Sequence, residues 1–322
     1  MRQITISTGA RLHCGLLARG ASSGRQFGGV GIMISPPGFV LRATRSSTEE
    51  AVGDECWRQR LLSVAARCRV AALPDRQPPP VRWELLETLP PHAGLGSGTQ
   101  LGMAVAGALA LLSGEWDVSA PELARRAGRG LRSAIGLYGF SQGGLLIEGG
   151  KTAEQAISPL VARAALPEDW RFLLIQPRDA AGLSGDEERQ GFAHLPPMPA
   201  TTTDRLCRLT LLNLLPAALE ARFDDFGEAL YEFGRRVGEY FAPAQGGTYA
   251  DPRMRQLVPA LHARGFRGIG QSSWGPTLFV LCPSVDAAQS LSRELATEHL
   301  CLNCALTIAA PRNRGADVEF TE

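Results

Sequence analysis

The chain has 322 residues, 44 % of them apolar, with 33 Lys and Arg against 32 Asp and Glu and a formal net charge of +1. That balance belongs to a folded globular chain rather than a disordered one, and it lacks the cationic excess with which a general nucleic-acid binder displaces counterions from phosphates. The length is ample for two cores, and no run reaches the roughly 18 apolar residues that a membrane span requires.

The opening stretch, MRQITISTGARLHCGLLARG, is interrupted by polar residues every few positions and holds no apolar segment of signal-peptide length, so a cytoplasmic location is expected. Residues 3–19 and 29–46 mix β-branched and apolar residues with glycines and predict paired strands. From Glu55 to Ala72, Leu61, Leu62, Ala65, Ala66 and Cys68 keep helical spacing, and the prolines of LPDRQPPP end that helix. VRWELLET at 81–88 predicts a strand, PPHAGLGSGTQ a loop, and LGMAVAGALALLSG a strongly apolar helix. A helix over 120–128 and a strand over 143–150 follow.

A boundary near residues 150–170 divides the chain into domains at 1–165 and 166–322, the second opening with a strand at 171–177. Helices are expected at about 203–221, with Pro216 kinking or ending it, and at 223–241. The rest reads helix 252–264, strands 266–273 and 275–282, helix 285–298 and strand 301–309, an antiparallel α+β sandwich. Seven cysteines, an odd and scattered set, do not form a disulfide framework. Cys301 and Cys304 make a lone CxxC without a second ligand pair, and they read as small residues packing inward from the last strand.

Chemistry first shows at PHAGLGSGTQ, residues 91–100. Alternating Gly94, Gly96 and Gly98 let successive backbone N–H groups approach an anion without Cβ interference, Ser97 and Thr99 add hydroxyls, and the following helix points its positive end at the same place. No lysine follows as in a Walker loop, and the spacing is not that of a dinucleotide fingerprint. The residues alone leave two readings open, a phosphate cradle and a plain capped turn.

This loop resembles that of the GHMP superfamily of small-molecule kinases, PxxxGLGSSA ahead of a helix. TGARLHCGLL at 8–17 and GIGQSSWGPTLFVL at 268–281 are similar to the first and third motifs of one branch, the β-ribofuranosylaminobenzene 5'-phosphate synthases. FGGVGIMI at 27–34, FSQGGLLIEGG at 140–150, GLSGDEE at 182–188, QGGTY at 245–249 and PRNRGA at 311–316 extend the resemblance over nearly the whole chain. It implies an α+β, GHMP-kinase-like two-domain fold, with an N-terminal ribosomal-protein-S5-like domain and a C-terminal ferredoxin-like α+β sandwich.

Kinases of the superfamily carry an aspartate in SGxDxxxxxxGG that assists deprotonation of the substrate hydroxyl. Aligning the double glycines of SAIGLYGFSQGG, residues 133–144, puts Gly136 at that aspartate, and glycine has no side chain to take a proton. The resemblance therefore implies a pentosyltransferase rather than a kinase. It would join phosphoribosyl pyrophosphate to 4-aminobenzoate or 4-hydroxybenzoate, release CO2 and pyrophosphate, and take the first committed step toward tetrahydromethanopterin. An ATP-dependent kinase and a non-catalytic sugar-phosphate-binding relative stand as the alternatives.

On the same resemblance, phosphate binding falls to Gly94, Gly96, Ser97, Gly98 and Thr99, with Gln100 adjacent. Arg11 and His13, alternate residues of one strand, share a face and are candidates for a phosphate or the benzoate carboxylate. Gln271, Ser272, Ser273 and Trp274 offer donors and an aromatic face. Gln142 and Gln245 each precede a double glycine that lets backbone approach a ligand, and Arg312, Asn313 and Arg314 could clamp a phosphate. Magnesium is expected to assist, with Glu187, flanked by Asp186 and Glu188, as its candidate ligand; no organic cofactor is expected. The partners implied are the two small substrates and, from length and superfamily habit, a second copy in a homodimer, with neither nucleic acid nor membrane.

Overall fold

The computed structural model describes residues 3–20, 24–72, 76–180, 182, 190–192 and 195–321. The first half runs β1 (Gln3–Ser7), β2 (Ala10–Ala18), β3 (Phe27–Ser35), β4 (Val40–Arg45), β5 (Glu50–Val52), α1 (Glu55–Val70), β6 (Val81–Glu87), α2 (Ser97–Leu112), α3 (Ala120–Ala127), α4 (Ile135–Gln142), β7 (Leu145–Glu148) and β8 (Leu160–Ala164). Then come β9 (Arg171–Pro177), α5 (Ala200–Leu209), a π turn (Thr210–Leu214) leading into α6 (Leu215–Leu219), α7 (Phe223–Gln245), α8 (Pro252–Ala263), β10 (Ile269–Gln271), β11 (Leu278–Cys282), α9 (Val285–Leu295), β12 (Cys304–Pro311) and β13 (Asp317–Thr321).

One sheet has the order β13-β1-β4-β6-β5; the other runs β10-β11-β9-β12-β3-β7-β8, with β2 paired to β3. All pairings are antiparallel except β5 with β6. The larger sheet is continuous because β12 meets β3 at Ala310↔Ser35 and Pro311↔Ile34, and the last strand returns to β1. The central helix α2 is apolar on every side and buried along nearly its full length, as an all-round apolar helix must be. A single core built on Ile4, Leu12, Ile32, Trp83 and Leu109 continues into Phe172, Phe226 and Phe279. A second cluster around Leu173, Val258, Val280 and Leu291 lies between the larger sheet and helices α8 and α9. Among the described residues no helix is long and apolar enough to cross a membrane.

Several elements depart from the sequence expectation. The glycine loop ends earlier than expected, and Ser97 to Gln100 already form the first turn of α2. Helix α4 was hidden by its glycines, which serve packing: a Cβ at Gly139 would meet Met33 Sδ at 2.3 Å. Pro216 does not end the helix: the backbone stays helical from α5 through the π turn into α6, and its missing N–H falls just after that turn. The expected strand 301–309 begins only at Cys304, with Cys301 in a 3-10 turn. The short β5 and β8 and the terminal β13 were not anticipated.

Candidate active site

The glycine loop enters the site by way of β6 and is fixed before α2 begins. Gly96 caps α2 in the left-handed conformation (φ 72°), and Gly94 is also left-handed (φ 76°), where a Cβ would lie 2.4 Å from Ser272 O. Both glycines are therefore required by backbone geometry. Thr99 N donates to Gly96 O at 3.0 Å, and the N–H groups of Ser97 and Gly98, which by helix geometry have no intrahelical acceptor, lie at this end. Ser97 is nearly buried, and Thr99 rests its methyl against Gly136, so a Cβ at residue 136 would stand 2.8 Å from Thr99 Cγ2. A side chain at that position would have to displace Thr99.

Two other segments hold the loop. Arg11 N donates to Leu95 O at 3.0 Å, bringing β2 alongside it. A bulge in β2 between His13 and Gly15 shifts its register against β3, so Arg11, His13, Cys14, Gly15 and Leu16 all line one cavity. The turn after β10 supplies the second clamp. Ser272 Oγ donates to Gly94 O at 2.7 Å and accepts from His13 N at 3.0 Å, and Thr277 Oγ1 donates to Ala93 O at 2.6 Å. Gln271 Nε2 donates to Ser273 O and to Gln245 Oε1, while its Oε1 accepts from Ala250 N, tying the end of α7 to the same turn.

These segments enclose a cavity of about 810 Å³. Of the residues singled out in the sequence, Arg11, His13, Gly94, Gly96, Ser97, Gly98, Thr99, Gln245, Gln271, Ser273 and Trp274 line it. Gln100 and Ser272 lie behind the wall, fully buried; Gln100 Nε2 donates to Gly136 O at 2.8 Å and holds α4 against α2.

The sequence reading missed most of the cavity's charge. Arg60, Arg129 and Arg132 join Arg11 in the wall, and no Asp or Glu lines it among the described residues. Arg129 lies over the first turn of α2, its Nη atoms 3.5 Å from where a Gly98 Cβ would stand. Burial first, and then the charges of Arg67 and Arg60, lower its pKa. Its Nε has no hydrogen-bond partner among the described residues. Arg60 stacks 5.1 Å over Trp57 and donates through Nη2 to His92 Nε2 at 2.7 Å, which makes that imidazole nitrogen the acceptor. The signal available in the sequence was Gly128-Arg129-Gly130, a cation between two glycines.

At another part of the wall Phe192, Phe241 and Trp274 meet edge to face, with centroids 4.7 to 5.8 Å apart, and Arg132 stands 5.1 Å over the Phe192 ring. Rings in this arrangement present apolar edges and faces with which a further aromatic can pair edge to face or offset. Burial, and Arg11 beside it, hold the His13 pKa well below 6.5, so the imidazole is neutral, and its Nε2 has no partner among the described residues. The Cys14 thiol is pushed up to about 12 by burial and stays protonated at neutral pH, which excludes it as a nucleophile.

The remaining candidates lie elsewhere. Gln142 is exposed at the end of α4, and its carbonyl accepts from Arg163. The double glycine after it faces protein rather than ligand: Gly144 N donates to Arg312 O at 2.7 Å, and a Cβ at Gly143 would strike Arg314 O at 2.3 Å. Gly247 likewise packs on Arg255, where a Cβ would lie 2.4 Å from Nε. Arg312 is buried and spent on Ser7 O, Gly315 O and an ion pair with Asp317 at 3.0 Å. Arg314 also pairs with Asp317, and Asn313 bonds both the N–H and the carbonyl of Leu166. Asp186, Glu187 and Glu188 lie outside the described residues. Among the described ones no cluster of three or more His, Cys, Asp or Glu could hold a metal.

Comparison with known proteins places both halves of this architecture. The model of the GHMP kinase N-terminal domain matches residues 60–141, and that of the GHMP kinase C-terminal domain matches residues 214–300. A β-ribofuranosylphenol 5'-phosphate synthase of Archaeoglobus fulgidus is 30 % identical over 98 % of this chain and 99 % of its own length. One from Methanothermobacter thermautotrophicus is 29 % identical over 86 % and 88 %. Among solved structures, a mevalonate diphosphate decarboxylase of Enterococcus faecalis superposes with a TM-score of 0.68 at 16 % identity, covering 99 % of each chain. A homoserine kinase of Cytophaga hutchinsonii superposes with a TM-score of 0.67 at 15 % identity, covering 99 % and 98 %. At these identities the solved structures establish the fold alone.

Proposed function

Because the chain belongs to the β-ribofuranosylphenol 5'-phosphate synthase family, we propose that it condenses phosphoribosyl pyrophosphate with 4-hydroxybenzoate, releasing pyrophosphate and CO2 on the route to tetrahydromethanopterin. The relatives' name describes the phenol that 4-hydroxybenzoate leaves after decarboxylation; 4-aminobenzoate, the other para-donor acid, is the alternative acceptor. The observation that carries this reading is the cavity wall: four arginines and a glycine loop, an aromatic cluster, and no carboxylate among the described lining residues.

Such a wall suits a polyanion beside a flat ring. As the bond from ribose C1 to the diphosphate oxygen lengthens, positive charge grows on the sugar and negative charge on the leaving group. Arg11, Arg129 and the α2 N-terminus are aimed to stabilise the latter. The ring, resting on Phe192, Phe241 and Trp274, attacks through the carbon that bears the carboxylate, and holding both reactants in line supplies much of the rate. Enclosure limits hydrolysis of the activated sugar by water. Gly136 supports this reading over a kinase, because the glycine has no side chain to act as the kinase base and an added Cβ would press on Thr99.

The test is to incubate the protein with phosphoribosyl pyrophosphate, magnesium and carboxyl-labelled 4-hydroxybenzoate or 4-aminobenzoate, with and without ATP. Label release that needs the sugar and ignores ATP is expected. No release with either acid, together with ATP turnover on an alcohol panel, would return the chain to the kinases.

A further inference from the structure

We propose that Ser133 and Glu148 form a proton relay in the cavity wall: Ser133 touches the acceptor's para-hydroxyl, and Glu148 takes the proton through it during ring attack and returns it after CO2 leaves. The inference rests on the reading of the site as an aryl-ribosyl synthase. Glu148 ends β7 and is fully buried. One carboxylate oxygen accepts from Ala134 N at 2.7 Å, and the other accepts from Ser133 Oγ at 2.7 Å. Ser133 itself lines the cavity, next in sequence to Arg132, which stands over the aromatic cluster. Its hydroxyl gives its proton to Glu148 and accepts from Ile135 N at 3.3 Å, which leaves one lone pair for a donor in the cavity.

The surroundings are those of a buried proton store. Across Gly29, the place a Cβ would take is 3.5 Å from Glu148 Oε1 and 3.6 Å from His13 Nε2. Among the described residues the charged and titratable groups facing Glu148 are Arg11, His13 and Tyr138. Burial outweighs the nearby Arg11 charge and the hydrogen bonds from Ser133 and Ala134, and raises the proton affinity of the carboxylate above its ordinary value.

The chemistry balances. The ring carbon bearing the carboxylate bonds to ribose C1 as the C1–O bond breaks, its electron pair leaving with diphosphate. The para O–H proton passes to Ser133 Oγ while the Ser133 proton passes to Glu148, giving a neutral dienone. The bond to the carboxylate then breaks, its electron pair returns to the ring, and the phenolate recovers its proton along the same path. No proton is consumed, and no second reagent is needed.

The test compares wild type, Glu148→Gln and Ser133→Ala on 4-hydroxybenzoate and on 3,5-difluoro-4-hydroxybenzoate, whose phenol ionises more readily. Each variant is expected to lose about 100-fold in kcat on the first acceptor and less than about 10-fold on the second. The acid limb of the wild-type kcat/KM profile should vanish in Glu148→Gln. Equal losses on both acceptors, or no loss in either variant, would overturn the relay. Ser133→Ala leaves Glu148 bonded to Ala134 and keeps the test alive if Glu148→Gln folds poorly. Absence of CO2 release by wild type on both acceptors would overturn the reading of the site, and the relay with it, a result distinct from an active wild type with indifferent variants.

Discussion

Replacing Arg129 by methionine should move stability and binding in opposite directions. Among the described residues its Nε has no partner, and burial and the charges of Arg67 and Arg60 all act against its ionised form. In the ligand-free protein that charge is a liability held for a substrate, and an isosteric apolar side chain should relieve on the order of 1 kcal/mol. Unfolding entropy of about 2.1 cal/mol/K per residue gives about 0.7 kcal/mol/K for a chain of this length, so Tm should rise by about 1.5 °C. With substrate present the sign reverses. One charge-assisted hydrogen bond to the diphosphate is worth about 1.5–3 kcal/mol, and its loss should raise KM for phosphoribosyl pyrophosphate about 10- to 150-fold. Thermal melts with and without the sugar, beside steady-state kinetics, read both effects. A lower Tm in the free protein with an unchanged KM would refute the assignment, because Arg129 would then be a structural residue.

Three further outcomes follow from single contacts. Gly136→Asp should create no ATP-dependent phosphorylation and should lower both Tm and synthase activity, since its Cβ meets Thr99 Cγ2 at 2.8 Å; acquired kinase activity would show that the base site is intact. Ser272→Ala removes the hydroxyl that bridges Gly94 O and His13 N, leaves two groups without that partner, and should cost about 2–3 kcal/mol in urea unfolding while raising KM for the sugar. His13 has its folded-state pKa lowered, so below about 6.5 the unfolded chain binds a proton that the folded chain refuses. Stability should fall by up to about 1.4 kcal/mol per pH unit as pH drops through that region, and His13→Gln should remove that slope.

The parts legible in the sequence are those in which local chemistry and function coincide. Gly94, Gly96 and Gly98 announce an anion site because backbone approach requires them, and Arg11 with His13 announces a shared face through strand alternation. Hidden were the groups whose role comes from tertiary placement. Arg60 is one of many helical arginines until Trp57 and His92 surround it, and Phe192 reads as an ordinary apolar residue until Trp274 and Phe241 meet it. The double glycines 143–144 and 246–247 misled for a related reason. A glycine reports that something comes close but not what, and here it is the backbone of Arg312–Arg314 and the side chain of Arg255. Arg312 and Asn313 look like a phosphate clamp and instead anchor Asp317 and Leu166.

The central claim, formation of a carbon–carbon bond at the ribose anomeric centre, can be read from one product spectrum. Phosphoribosyl pyrophosphate labelled with 13C at ribose C1 and 4-hydroxybenzoate labelled with 13C at the ring carbon bearing the carboxylate are incubated with the protein. A product in which the two labels show direct one-bond coupling, formed without ATP, is the predicted result. Labels that end in ribose 5-phosphate and unchanged 4-hydroxybenzoate, with no coupling, would contradict it.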